Sequence, residues 1–241
     1  MNTLKNKVAL ITGGTKGIGY ATALSLLNEG INVAITSRNE SSAVEAANAL
    51  NTNTISTAKA IGIEADVKDF ESQQKAVAKV LGHFNQLDIV IANAGLGHFA
   101  SIEDLTLEQW QETIDTNLTG VFYSIKSSVE ALKNSEGYFI TISSLAGTNF
   151  FASGSAYNAS KFGVTGFTQA VMLDLRKHNI KVSTIMPGSV STHFNGHVPN
   201  DADAWKIQGE DIGELVVDLL KMNPRTLPSK IEVRPTMPPS K

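Results

Sequence analysis

The 241-residue sequence contains no cysteine. Disulfides, thiolate nucleophiles and cysteine-bound metals are therefore excluded, and a reducing cytoplasm suits the chain. Long apolar runs are missing as well. The N-terminal segment MNTLKNKVALITGG holds only the short stretch Val8 to Thr12. Nothing later approaches the ~18 apolar residues of a membrane-spanning helix. A cytoplasmic location and no membrane partner are expected, and the sequons at Asn39, Asn117 and Asn158 read as chance matches. An excess of positive charge is missing too. Lys and Arg number 20 against 23 Asp and Glu, a net charge of −3 without a basic run. That argues against a nucleic-acid partner held through its phosphates. Histidine is scarce. His193 and His197 stand four apart in a Gly- and Pro-bearing segment with no helix to align them, so no metal site is expected. No G-x-S-x-G elbow of a hydrolase occurs.

What is present is an alternation. Apolar runs at 7–12, 32–36, 59–65, 87–93, 137–143, 180–186 and 229–234 are nearly continuous, the pattern of parallel strands buried on both faces. Helical patterns lie between them, near 17–29, 40–50, 69–83, 106–133, 153–178 and 210–221. The alternation predicts one α/β domain over 1–241, a doubly wound parallel sheet of about seven strands with helices on both faces. The segment near 188–209 is irregular and long for a connection, as expected of a substrate lid. The Pro-rich tail, 235–241, reads as extended.

The first run ends in Thr12-Gly13-Gly14-Thr15-Lys16-Gly17-Ile18-Gly19. Glycines at 13, 17 and 19 let backbone turn tightly and approach a pyrophosphate, and the helix start beyond them offers unpaired N–H groups. A dinucleotide is the expected ligand, with a tight βα loop as the plainer alternative. The second run ends in Thr36-Ser37-Arg38, without the acid that binds a ribose 2′-hydroxyl. Arg38 instead suits a 2′-phosphate, with Lys16 as a second cation, unless both are ordinary surface charges. NADP(H) is the cofactor this predicts.

Tyr157 and Lys161 stand four apart in SAYNASKFGVTGF, on one face of a predicted helix. An ammonium beside a phenol favours the phenolate, which predicts a lowered Tyr157 pKa and proton exchange with a carbonyl or alcohol. Ser144 lies thirteen residues upstream, with Ser143 as a rival.

With TGGTKGIG, Asn93-Ala94-Gly95, Asn117, Ser144 and Tyr157-x-x-x-Lys161 in order, the chain resembles the single-domain short-chain dehydrogenases/reductases. The likeness is nearest to 3-oxoacyl-acyl-carrier-protein and carbonyl reductases. It implies a Rossmann-like fold and hydride transfer between NADP(H) and a ketone or secondary alcohol. It assigns Gly13, Thr15, Lys16, Gly17, Ile18 and Gly19 to the phosphate turn, and Ser37 and Arg38 to the adenosine ribose. Asp66 and Val67 fall to adenine, and Asn93, Ala94 and Gly95 to its ribose and the central sheet. Pro187, Gly188, Val190 and Thr192 fall to nicotinamide. It makes Ser144 the residue that orients the carbonyl and Tyr157 the acid or base. Lys161 would hold the nicotinamide ribose and lower the Tyr157 pKa, and Asn117 would hold a proton-refilling water. A homotetramer is implied, supported by the apolar helix at 153–178. NAD-linked alcohol or sugar oxidation, or a non-catalytic dinucleotide sensor, are the other readings.

The substrate is less legible. Gly97, His98 and Phe99 follow the fourth strand, Phe150 and Phe151 the fifth, and Phe194 lies in the expected lid. They suggest an apolar pocket, although lid or core packing accounts equally well for any one phenylalanine.

Overall fold

A computed structural model describes residues 4–238. The expected extended tail falls partly on 239–241, outside the described residues. Seven parallel strands form one sheet: β1 (Val8–Ile11), β2 (Asn32–Ser37), β3 (Ala60–Glu64), β4 (Ile89–Ala92), β5 (Tyr138–Ile142), β6 (Lys181–Pro187) and β7 (Lys230–Val233). Their order is β3-β2-β1-β4-β5-β6-β7. Ile11 of β1 is in register with Ile35 of β2 on one side and with Ile91 of β4 on the other. The winding therefore reverses beside β1, and a crevice opens at the carboxyl ends of β1 and β4.

The strands read as unbroken apolar runs because both faces are covered. Alternate residues serve different cores. Ala9, Ile11, Val33 and Ile35 pack with Leu26 and Leu27 of α1 (Gly17–Asn28), Leu50 of α2 (Glu40–Asn53) and Val216 of the C-terminal helix Gly209–Lys221. Val8, Leu10, Ala34 and Val90 pack with Val77 and Val80 of α3 (Phe70–Phe84). Phe139 of β5 belongs to this second core and is fully buried. Its truncation to alanine should cost about 3–5 kcal/mol.

Local chemistry sets the helix starts. Asn39 accepts from Ser42 N at 3.0 Å to begin α2, and Asp69 accepts from Glu71 N at 2.9 Å to begin α3. Each cap satisfies backbone donors left free at a helix start. Helix α1 differs. It follows Lys16 with no side-chain cap and no acid in its first turn. Its free N–H groups face the crevice end of β1.

The helix expected over 106–133 is interrupted. Thr106 and Gln109 form a reciprocal capping box at the start of α4 (Leu107–Ile114). A wide π-helical turn, Asp115–Thr119, follows before α5 (Gly120–Ser135). Asn117 is in that turn and is almost fully buried. Such turns insert a residue where a side chain must be re-aimed. Next come α6 (Ser155–Leu175) and then, beyond β6, α7 (Gly209–Lys221). No helix among the described residues is long and apolar enough to cross a membrane.

Candidate active site

A cleft of about 980 Å³ runs along the carboxyl ends of the strands. It is lined by every expected cofactor and catalytic residue except Gly19 and Asn117. Those two stand behind its wall.

The glycine turn is shaped by contacts that leave no room for side chains. Gly13 has φ +65°, and a Cβ there would lie 3.0 Å from the Ala94 Cα. A Cβ on Gly19 would come within 2.5 Å of the Gly13 carbonyl oxygen. Asn93 holds the turn from beneath: its Nδ2 donates to the carbonyls of Thr12 at 2.9 Å and Gly13 at 3.0 Å. Thr12 Oγ1 accepts in return from the amides of Asn93 and Ala94, both at 3.1 Å. The cradle is thus fixed backbone, with the uncapped start of α1 behind it. This geometry suits a pyrophosphate.

The outer end of the cleft is cationic. Lys16 follows β1, Arg38 follows β2 and Lys68 follows β3, and all three line the wall. Arg38 and Lys16 are exposed and enter none of the ion pairs found among the described residues. Sequence reasoning missed Lys68, although it directly follows the Asp66-Val67 pair. It also missed Tyr20, Ser42 and Glu45, which α1 and α2 turn toward the same end. Nothing in their spacing marks them. Asp66 takes the Lys68 amide on its carboxylate at 2.9 Å, which shapes the turn after β3.

The inner end holds the reactive groups. Helix α6 carries Tyr157 and Lys161 one turn apart, against the end of β5. Lys161 is buried, and its Nζ donates to the Ile142 carbonyl oxygen at 3.0 Å. Burial pulls its pKa down to about 8. The same Nζ lies 5.6 Å from the centroid of the Tyr157 ring. Burial pushes the Tyr157 phenol up, and a polar contact from the Ser144 hydroxyl opposes the rise. The direction is the reverse of the lowered value expected from the i, i+4 lysine. Desolvation of the phenol dominates, and the ammonium is turned to the Ile142 carbonyl.

The two serines separate clearly. Ser143 is buried, donates to the Lys161 carbonyl at 3.1 Å and meets Thr165 Oγ1 at 3.1 Å. Ser144 accepts from Ala146 N at 3.1 Å and faces the cleft beside Tyr157. Asn117 ties three segments together. Its Oδ1 accepts from Leu96 N at 2.9 Å, and its Nδ2 donates to Leu96 O at 2.8 Å and Ser160 Oγ at 3.0 Å. Both amide N–H donors are spent inside the protein. These bonds brace α6 beside Tyr157.

Two phenylalanine rings stand against the phenol, and a third stands against one of them. The Tyr157 ring centroid is 5.4 Å from Phe99 and 5.8 Å from Phe194, and Phe99 is 5.8 Å from Phe151. Phe150 is fully turned out to solvent. The segment after β6 is tied down rather than loose. Val190 bridges to Ile207, and buried Asp203 bonds His197 and Lys206. No cluster of metal-ligating side chains occurs among the described residues.

A family model described as short chain dehydrogenase matches residues 7–203. The chain belongs to the short-chain dehydrogenases. A relative in this family, the trans-4-hydroxycyclohexanecarboxylate dehydrogenase of Sinomonas cyclohexanicum, is 36% identical over 223 residues, covering 88% of this chain and 85% of the relative. Among solved structures, an alcohol dehydrogenase from the archaeon Thermococcus sibiricus complexed with 5-hydroxy-NADP superposes with a TM-score of 0.90 at 28% identity. The match covers 98% of this chain and 99% of that one. A 3-ketoacyl-ACP reductase from Sinorhizobium meliloti 1021 has a TM-score of 0.84 at 33% identity, covering 94% of this chain and 97% of the reductase. The chain is therefore an oxidoreductase of the short-chain dehydrogenase family, with the Rossmann-like fold.

Proposed function

We propose that this protein reduces a ketone to a secondary alcohol, or runs the reverse, with NADP(H) as the preferred cofactor. The observation that carries the reading is the placement of the Tyr157 phenol beside Ser144 and Lys161 at one end of a cleft whose other end is a glycine phosphate cradle. The cradle fits a dinucleotide because Gly13 and Gly19 stand where a Cβ would collide with backbone. When bound, the nicotinamide supplies or accepts the hydride.

The chain's own residues do the rest. Ser144 orients the carbonyl oxygen by donating to it. Tyr157 delivers its proton to that oxygen as negative charge develops there, which is general acid catalysis combined with oxyanion stabilisation. A phenol raised by burial is fully protonated at neutral pH, the form a reduction needs. Lys161 supplies the nearest titrating cation and holds the nicotinamide ribose. Asn117 keeps the Leu96 segment and α6 in place around them.

The preference for NADP(H) rests on Arg38 and Lys16, with Lys68 beside them, at the ribose end. The NAD-linked alternative would place an acid after β2, where the chain has Ser37-Arg38. The segment 188–209 serves as the substrate lid of a single catalytic domain, 1–241. A homotetramer in the cytoplasm completes the reading. Exposed Phe162 and Leu173 on α6 and exposed Phe122 on α5 suit an interface between copies. The test is kcat/KM for NADPH and NADH with one ketone. At least tenfold in favour of NADPH is expected, and equal efficiencies contradict the cofactor assignment. A non-catalytic sensor would oxidise neither.

A further inference from the structure

The reversal of winding beside β1 divides the cleft into chemically opposite halves. The turns after β1, β2 and β3 bring Lys16, Arg38 and Lys68 to one half. The segments after β4, β5 and β6 bring Phe194 to the wall of the other, Phe99 against the Tyr157 ring and Phe151 against Phe99. Phe99 and Phe194 both contact the ring of Tyr157, and they also meet across Gly97. A Cβ on Gly97 would fall 2.8 Å from the Phe99 Cζ and 3.0 Å from the Phe194 Cζ. The absence of a side chain at Gly97 thus lets two loops close a collar of rings around the phenol. The rings remain partly open to solvent, with Phe99 43% and Phe194 38% exposed.

This half offers little to an anion. Its buried cation, Lys161, gives one of its three donors to the Ile142 carbonyl and is assigned to the nicotinamide ribose rather than to the substrate. His98 is paired with Glu112 at 2.9 Å. His193 and Asn195 are exposed at the rim. Beyond Phe99 the chain continues into Glu103 and Asp104, and beyond Phe194 into Asp201 and Asp203. A carboxylate or a phosphate-bearing carrier arm would leave water for phenyl faces, with only exposed His193 and Asn195 at the rim to meet its charge. A compact apolar ring exchanges one set of aromatic contacts for another.

We infer that the aromatic collar of Phe99, Phe151 and Phe194 selects uncharged cyclic ketones, and discriminates against ring carboxylates and acyl thioesters. This rests on the ketone-reductase reading above and names its substrate class. In the reduction the ketone carbon gains a hydride from NADPH, the π pair of the C=O bond moves to oxygen, and that oxygen takes the Tyr157 proton. The products are the alcohol and NADP⁺. The ring relative's name includes a carboxylate, whereas this chain sets phenyl rings beside the phenol.

The experiment compares two ketones that differ only in the substituent at the distal carbon, 4-methylcyclohexanone and 4-oxocyclohexanecarboxylate, adds the uncharged methyl ester of the latter to separate charge from size, and adds an acetoacetyl thioester. The full chain with NADPH should favour the uncharged ring by about tenfold or more in kcat/KM. Phe99→Ala and Phe194→Ala should each raise KM for that ring about tenfold, with smaller changes in kcat. Phe99→Leu should recover part of the loss. Independently of turnover, saturation-transfer NMR on the protein alone should show contact with 4-methylcyclohexanone and little with the carboxylate. Equal or better efficiency with the carboxylate or thioester overturns the inference and leaves the reductase reading intact. So does ring binding that is indifferent to both phenylalanine substitutions. Ring binding without any turnover contradicts the parent reading instead.

Discussion

Lys161 Nζ donates its hydrogen bond to the carbonyl oxygen of Ile142, at 3.0 Å, from a fully enclosed position. The lysine is thereby tied to the end of β5, and burial brings its pKa to about 8 from 10.5. Between those values the folded protein has released this proton while the unfolded chain still holds its own. The unfolded state then binds more protons, so this residue adds stability as pH rises through the window. Denaturation midpoints of the wild type and Lys161→Met, measured from pH 7 to 10, should show the wild type gaining on the variant. A constant difference would mean that the lysine is not desolvated as described.

Asp203 fastens the segment after β6. Its carboxyl is held well below the usual carboxylate range, first by the bond from Lys206 and then by that from His197. The segment it clasps also makes a backbone bond from Ser191 N to Ile207 O at 2.8 Å. Asp203→Asn keeps the size and removes the charge. Hydrogen exchange at the Ser191 amide should speed up about tenfold or more in the variant, with the sheet amides unaffected. Unchanged protection would show that Asp203 does not restrain this segment.

Arg38 should carry most of the preference for the 2′-phosphate. A charge-assisted bond is worth about 1.5–3 kcal/mol, and 1.4 kcal/mol is tenfold in affinity. Arg38→Asp should lower NADPH efficiency by more than tenfold and leave NADH efficiency level or improved. A variant that kept its NADPH preference would move the role to Lys16 or Lys68.

The strands and most helices are legible in the sequence for a simple reason. A parallel strand covered on both faces is apolar throughout, and Val8-Ala9-Leu10-Ile11 divides its side chains between the two cores. The interruption at Asp115–Thr119 is not legible, because its cause is tertiary. Asn117 reaches Leu96 and Ser160, which are remote in sequence. The phenol's environment was misjudged for the same kind of reason. Spacing shows that Lys161 is a neighbour of Tyr157, but burial and the Ile142 carbonyl decide where the charge points. Ser143 and Ser144 are adjacent, and their roles part only when Thr165 is seen to occupy the first. The phenylalanines were visible one at a time. Their convergence on Tyr157 depends on Gly97, whose missing side chain has meaning only in three dimensions.

As proton donor in a carbonyl reduction, Tyr157 should be indispensable, and Tyr157→Phe isolates that role. The substitution keeps the ring against Phe99 and Phe194 and removes only the hydroxyl. NADPH oxidation by a panel of ketones and NADPH affinity by fluorescence titration should be measured on the wild type and the variant. In the variant kcat should fall by about 10²–10⁴ while cofactor affinity changes less than about twofold. A variant that retained more than half of the wild-type kcat would contradict it.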